Sequence, residues 1–265
     1  MSTSLTLPSN AGSTSLRSRI LPLLGAAVIA ATYLMLVLLQ PVEAAAGLSS
    51  WPAVTAFAGY LAGAILLLVG VLPQLPPSAV AIIPVGLALN IVLGQFVGST
   101  LVPLYLDSIG TVLVGLLAGR SAGAATGVLG SLVWSLFNPT VLPFAAGAAA
   151  IGYLAGTAGR LGVLRRVYWA PVAGFLTGVV AAVLSAPVAA FVYGGTSGAA
   201  TGALVAMFRA MGDGLLASIT KQALISDPAD KALAFLVAAL LVAALPRRIR
   251  LQFPQVQRQA SRPGE

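Results

Sequence analysis

Long apolar segments, separated by short polar turns, are the feature that most constrains what this chain can fold into. Hydrophobic residues make up 58% of the sequence and charged residues only 8%, a balance that soluble domains do not carry. A helix needs about 20 apolar residues to cross a hydrocarbon core of about 30 Å, and segments of that length recur along the chain. The sequence therefore predicts an all-α polytopic membrane protein.

The apolar segments predict eight membrane-spanning helices. They cover residues 20–39, 52–72, 79–98, 104–119, 121–137, 141–158, 168–192 and 229–245. Arginines gather at alternate helix ends, and the positive-inside rule then places both termini in the cytoplasm. The Ala, Gly, Leu and Arg bias is typical of a GC-rich bacterial genome, so the expected location is a bacterial plasma membrane.

Residues 199–222 are the segment whose placement decides the topology. They carry Arg209, Asp213 and Lys221 among apolar residues at helical spacing. We expect an amphipathic or re-entrant helix that lies at the outer face without crossing. The alternative is a ninth span, which would place the basic C-terminal end outside.

The N-terminal region has two interpretations. Residues 1–19 are polar and are predicted to form a disordered cytoplasmic tail. Ala44, Ala45 and Ala46 resemble a signal-peptidase site, so a cleaved signal peptide is one alternative for the first apolar segment. The segment is longer than a usual signal core, which favours a retained helix.

The residue inventory excludes several classes of function. The chain has no Cys and no His, which removes thiolate chemistry and the commonest metal ligand and general base. It has no phosphate-binding loop of the P-loop type, and its six acidic residues are too few for a carboxylate-rich metal site. We therefore expect no metal, cofactor or catalytic centre. The net charge of +8 sits at helix ends and does not indicate nucleic-acid binding.

Polar residues at the predicted outer face are the candidates for a ligand site. A charge inside an apolar segment is costly and indicates function by default, and Asp107 lies near the start of the predicted helix 104–119. Together with the other polar and aromatic side chains it predicts an outward-facing pocket. The candidate residues are Asn90, Tyr105, Asp107, Trp134, Asn138, Tyr193 and Arg209. Tyr193 and residues 194–222 would act as a lid, in which Gly194 and Gly195 form a hinge or offer backbone N–H donors.

Each candidate also has a purely structural interpretation. Asp107 could cap or pair locally, and Asn90 could make a helix–helix hydrogen bond. The aromatic residues could form an interfacial belt, and Arg209 could pair with Asp213 four residues later. Small residues spaced by four, from Gly115 to Gly127 and from Ala145 to Gly156, indicate close helix packing.

Two motifs resemble those of a known family. The first is Leu-Tyr-Leu-Asp-Ser-Ile-Gly-Thr at 104–111, followed by Gly119, Gly123, Gly127 and Asn138-Pro139. The second is Asp-Pro-Ala-Asp-Lys at 227–231 with Leu-Pro-Arg-Arg at 245–248. The chain is similar, over about 79–254, to the S components of energy-coupling factor (ECF) transporters, the substrate-specific membrane subunits of these importers.

The resemblance implies both an architecture and a set of partners. It implies a six-helix substrate-binding domain over 79–250, preceded by two extra helices within 20–78 and followed by a basic cytoplasmic tail at 251–265. It implies a site near the outer face for a vitamin or vitamin-like nutrient, a transmembrane coupling subunit and two ATPase subunits. Members that carry nickel or cobalt have an N-terminal Met-His pair, and this chain has Met-Ser, which argues against a metal cargo.

Two other functions stay open at the level of sequence. The first is a membrane sensor module that signals through a separate kinase, which would have to be a partner. The second is a lipid-modifying membrane enzyme, whose acid and base could come only from Asp107, Asp213, Asp227 and Asp230.

Overall fold

The structure, a computed structural model, describes residues 11–40, 50–98, 102–195 and 199–261. These residues form α-helices and short 3-10 turns, with no β-strand among them. The α-helices are α1 (Ala11–Leu39), α2 (Trp51–Val71), α3 (Pro77–Gly98), α4 (Ile109–Ala118), α5 (Arg120–Ser135), α6 (Ala145–Arg160), α7 (Ala170–Phe191), α8 (Ala199–Ala210), α9 (Leu215–Ala244), α10 (Arg247–Arg250) and α11 (Pro254–Ala260).

Five of the described segments are long and apolar enough to cross a membrane. They are Ser18–Leu39, Trp51–Gln74, Pro77–Val97, Pro139–Arg160 and Val167–Phe191. They coincide with the first, second, third, sixth and seventh predicted spans, so the prediction of a multi-pass helical protein is confirmed. The remaining three spans, the cytoplasmic termini and the bacterial plasma membrane stay predictions.

Helix α4 lies at the centre of the bundle. Every residue from Ile109 to Leu117 is buried, and the helix packs against α3, α5, α6 and α9. The sequence predicted a helix from Leu104, but residues 103–108 are irregular and α4 begins at Ile109. Asp107 therefore lies in the turn before the helix rather than inside it.

Helix α9 is longer than predicted and contains the charged residues that were expected at its start. It runs unbroken through Leu215–Ala244 and includes Pro228. The segment predicted over 199–222 consists of α8 and the first residues of α9, separated by a break at Gly212, where φ is +98°. Its position relative to the membrane stays a prediction. Helix α8 has 12 residues, about 18 Å at 1.5 Å per residue, which is shorter than a hydrocarbon core.

Small residues bring the helices together, as their spacing predicted. A Cβ atom added at Gly123 of α5 would collide with the carbonyl of Gly152 in α6, and one at Gly127 would collide with that of Ala148. Helix α7 contacts α9 in the same way, because Gly174 and Gly178 lie against the α9 backbone at Asp227–Lys231. Glycine at these positions therefore allows backbone contact that any side chain would prevent.

The N-terminal helices pack on the bundle. Helix α1 packs against α2, and α2 packs against α5. Tyr60 of α2 is fully buried and donates a hydrogen bond to the carbonyl of Pro143 at 3.4 Å. The proposed boundary between an N-terminal pair at 20–78 and a substrate domain at 79–250 stays a prediction. The tail predicted as disordered over 1–19 is helical from Ala11 onward, where α1 begins. Residues 1–10 and the possible cleavage site at 44–46 lie outside the described residues.

The C-terminal residues fold back onto the bundle instead of forming a free tail. Gln255 and Gln259 of α11 are buried and donate side-chain hydrogen bonds to the carbonyls of Gly156 and Gly159 in α6. Phe253 is also buried against the bundle. The described part of the predicted tail 251–265 is therefore a docked helix.

Candidate functional site

A cavity of about 380 Å³ lies inside the bundle, with walls from α1, α3–α7 and α9. Its size falls within the 300–1,000 Å³ range typical of small-molecule sites. Six of the seven candidate residues lie in its wall, namely Asn90, Tyr105, Asp107, Trp134, Asn138 and Tyr193. The topology thus brings together polar side chains that are up to about a hundred positions apart in the chain.

Arg209 does not belong to this cavity. Its side chain is exposed on α8, and it is not among the residues that line the wall. The predicted pair with Asp213 is also wrong, since Asp213 Oδ2 lies 2.6 Å from Lys221 Nζ instead. The structure therefore gives no support for Arg209 as a ligand contact.

Asn90 fastens α3 to the start of α4. Its side-chain oxygen accepts hydrogen bonds from the backbone N–H groups of Gly110 (2.7 Å) and Thr111 (3.2 Å). Its Nδ2 donates to Thr111 Oγ1 at 2.7 Å. Free N–H groups at a helix start need acceptors, and this side chain supplies one from a different helix. The helix–helix interpretation of Asn90 is the one that its contacts support.

Lys231 of α9 is the centre of an ion-pair network. Its Nζ lies 2.6 Å from Asp230 Oδ2 and 3.0 Å from Asp107 Oδ1. Lys231 and Asp230 are almost completely buried, whereas the Asp107 side chain is 35% exposed. Asp107 therefore presents carboxylate surface to the cavity while one of its oxygens is held by the ammonium.

Asp230 also shapes the segment before α4. Its Oδ1 accepts hydrogen bonds from the backbone N–H groups of Tyr105 (2.9 Å) and Leu106 (2.8 Å). Leu106 has a φ of +50°, a left-handed conformation that is strained for a branched side chain. Such strain persists where surrounding contacts fix the backbone, and the two hydrogen bonds to Asp230 do so here.

Asp227 faces the cavity one turn before Lys231. Its Oδ2 accepts a hydrogen bond from Ser185 Oγ at 3.0 Å, and Ser226 Oγ lies 3.5 Å from its Oδ1. No lysine or arginine nitrogen of the described residues lies within 4.0 Å of its carboxylate. Asp227 therefore differs from Asp107 and Asp230, which share the ammonium of Lys231.

Two buried polar groups in the wall have no partner. Trp134 Nε1 and Ser108 Oγ form no hydrogen bond with any described residue, although their residues are only 9% and 4% exposed. Both residues line the cavity. Buried donors without partners are costly in a finished fold. Both atoms are covered by protein, so a small side-chain movement is needed for either to meet a molecule in the cavity.

Tyr193 and Asn138 close one side of the cavity through fixed contacts. Tyr193 donates its hydroxyl to the carbonyl of Thr140 at 2.6 Å and stacks on Phe144, with ring centroids 5.7 Å apart. Burial raises the pKa of Tyr193, so the phenol stays protonated and keeps this hydrogen bond. Asn138 Oδ1 accepts hydrogen bonds from the N–H and hydroxyl of Thr140.

One of the two glycines that follow already uses its backbone N–H. Gly194 has a φ of +64°, and the N–H of Gly195 donates to the carbonyl of Ala189 at 3.0 Å. A backbone donor at Gly195 is therefore already used within the protein.

Several cavity residues were not among the sequence candidates. They are Tyr33, Ser185, Gln222, Asp227 and Lys231. The charges of Asp227 and Lys231 in an apolar helix were the available signal. Tyr33 gave no such signal, because its place in the wall depends on how α1 packs, where its hydroxyl donates to the carbonyl of Leu184 at 3.0 Å.

No family model, curated protein or solved structure matches the chain. The class of protein is therefore defined by its fold and its cavity alone. It is an all-helical protein, over the residues described, with five helices able to cross a membrane and a cavity among them whose wall carries polar and charged side chains.

Proposed function

We propose that this chain is the substrate-capture subunit of an ECF-type importer. In this role it binds a small water-soluble nutrient of the vitamin type at the outer face and delivers it through a coupling subunit driven by two ATPases. The proposal rests on the resemblance of the motifs at 104–111 and 227–231, which both contribute residues to the cavity. The energy for import comes from the partner subunits, since the chain has no phosphate-binding loop of its own.

The single observation that carries the proposal is the cavity with its unpartnered donors. Trp134 Nε1 and Ser108 Oγ are buried without hydrogen bonds, and the carboxylates of Asp107 and Asp227 lie in the same wall. A purely structural core would satisfy such groups internally. A site that binds a polar molecule leaves them for the ligand.

Helix α8 is the candidate cover of the site. The Tyr105 hydroxyl lies 3.2 Å from Thr201 Oγ1 of α8, so one hydrogen bond connects the segment before α4 to this helix. Val205 of α8 also packs in an apolar cluster with residues of α7 and α9. A short cover helix of this kind opens to admit a ligand when these contacts separate. In this proposal α8 replaces the larger lid, residues 193–222, that the sequence predicted, because Tyr193 is fastened to the wall.

Gentle purification from native membranes tests the proposal. We expect native mass spectrometry to detect a bound small molecule at one copy per chain, together with two ATPases and a coupling subunit. Asp107→Asn should lower the small-molecule occupancy, because it removes a carboxylate from the wall. Asp213→Asn is the matched control, since Asp213 pairs with Lys221 outside the cavity. Retention of a kinase without ATPases would overturn the importer and favour the sensor module.

A further inference from the structure

We infer that the ligand of this cavity is an organic cation, such as a primary or quaternary ammonium, with Asp227 as its counter-ion. The inference deepens the proposed function by naming the charge class of the substrate, and it rests on that function in taking the cavity as a capture site. Three observations support the inference: the charge of the cavity wall, the hydrogen bonds that its charged residues already form, and the aromatic side chains that line it.

The wall carries more negative than positive charge. Among the described residues, the charged side chains that line the cavity are Asp107, Asp227 and Lys231. Asp230 lies behind them, bonded to Lys231. The cluster thus contains three carboxylates and one ammonium, and no arginine of the described chain lines the cavity. An anionic ligand would add to this excess, whereas a cation would balance it.

The ammonium of Lys231 already forms ion pairs with two carboxylates of the protein. It holds Asp230 at 2.6 Å and Asp107 at 3.0 Å, and Asp230 uses its second oxygen on the backbone at Tyr105 and Leu106. Through these contacts Lys231 and Asp230 stabilise the fold and are not free to bind a ligand. Asp227 has no lysine or arginine nitrogen of the described residues within 4.0 Å of its carboxylate.

The side-chain contacts of the Asp227 carboxylate are with neutral hydroxyl groups. Ser185 Oγ donates to Oδ2 at 3.0 Å, and the Ser226 hydroxyl, 3.5 Å from Oδ1, is shared with the carbonyl of Gln222. Neutral hydroxyl groups orient a carboxylate but do not neutralise it. A carboxylate in largely apolar surroundings is stabilised mainly by a nearby positive charge.

The aromatic side chains of the wall are a second observation, separate from the acidic residues, that favours a cationic ligand. The Trp134 side chain is only 9% exposed, and its Nε1 has no hydrogen-bond partner among the described residues. Tyr33, Tyr105, Phe144 and Tyr193 line the same cavity. Aromatic faces attract organic cations, most strongly when water is excluded.

A matched set of probes tests the inference. The set is 2-phenylethylammonium, 2-phenylethanol and 3-phenylpropanoate, which share a phenylethyl group and differ in charge. The full-length chain carrying Trp51→Phe and Trp169→Phe keeps Trp134 as its one tryptophan, since the chain has three. Quenching of Trp134 fluorescence then reports binding in the cavity itself.

The expected result is a clear order of affinity. The ammonium should bind at least about tenfold more tightly than the alcohol, the size of one charge-assisted hydrogen bond, and the carboxylate most weakly. Asp227→Asn should remove the preference for the ammonium, whereas Asp227→Glu should keep it. Asp213→Asn is the matched control and should change nothing. Melting temperatures of all variants separate loss of binding from loss of folding.

The inference is overturned by any other order. Equal affinity for the ammonium and the alcohol, tighter binding of the carboxylate, or no binding of the ammonium each contradict it. A chain that prefers the ammonium but retains no ATPase on purification keeps this inference and loses the proposed importer. A chain that retains the ATPases and shows no preference gives the reverse result.

Discussion

Lys231 Nζ lies 3.0 Å from Asp107 Oδ1 and thereby joins the middle of α9 to the turn before α4, across 124 positions of the chain. The same ammonium lies 2.6 Å from Asp230 Oδ2, and Asp230 in turn holds the backbone at Tyr105 and Leu106. One buried cation therefore organises both the central helix start and the acidic wall of the cavity.

Replacement of Lys231 by methionine should strongly destabilise the protein. The change keeps the length of the side chain but leaves two carboxylates without their cation. Removal of one partner from a buried ion pair costs about 3–5 kcal/mol. The free energy of unfolding, measured by SDS titration of the protein in mixed micelles and followed by circular dichroism, checks this value.

Lys221→Met is the control for this prediction. It makes the same change at the exposed pair with Asp213, where the lysine side chain is 51% exposed. Exposed pairs contribute about 0–1 kcal/mol. Similar losses for the two variants would contradict the role given to Lys231.

The sequence predicted the helices that are long and apolar, because their signal is local. Five predicted spans recur as segments able to cross a membrane. The start of α4 could not be read from periodicity, since Leu104 to Leu106 continue the apolar pattern. Their backbone is removed from the helix by Asp230, which takes the N–H groups of Tyr105 and Leu106. That contact links residues more than a hundred positions apart.

The sequence predicted most of the polar residues that line the cavity, but not the contacts that they make or every residue of the wall. Six candidate residues line one cavity, and they were chosen because the helix count predicted one common face for them. Asp227 was not among the candidates, because the direction in which it faces depends on the close packing of α9 on Gly178 of α7. Arg209 is exposed on the short helix α8 and does not line the cavity, so its role in ligand binding stays a prediction.

Replacement of Asn90 by alanine should reduce stability rather than act only on ligand binding. It removes the acceptor for the N–H groups of Gly110 and Thr111, and loss of a helix cap costs about 0.5–2 kcal/mol. The free energy of unfolding of the ligand-free protein is the measurement. Gln95→Ala, at an exposed position of the same helix, should leave it unchanged. A stable Asn90→Ala variant would show that α4 does not depend on this cap.

Two glycines of the cavity wall should respond in opposite ways to alanine. A Cβ atom at Gly147 meets nothing within 4 Å, whereas one at Gly127 would collide with the backbone of Ala148. Gly147→Ala should therefore stabilise α6 by up to about 1 kcal/mol through helix propensity. Gly127→Ala should destabilise the contact between α5 and α6. Melting temperatures compare the two, and equal shifts would contradict the packing described.

Replacement of Tyr105 by phenylalanine should loosen α8. The change keeps the ring in the cavity wall and removes the hydroxyl that lies 3.2 Å from Thr201 Oγ1. A hydrogen bond of this kind contributes about 0.5–1.5 kcal/mol, so local opening of α8 should become roughly two- to tenfold more frequent. Amide hydrogen exchange, read over Ala199–Ala210 with α7 as the internal reference, measures this opening. Tyr153→Phe is the control, because the Tyr153 hydroxyl bonds no described residue and its ring keeps the contact with Arg120. Unchanged exchange in α8 would mean that the hydroxyl does not hold this helix, and the cover of the cavity would have to be sought elsewhere.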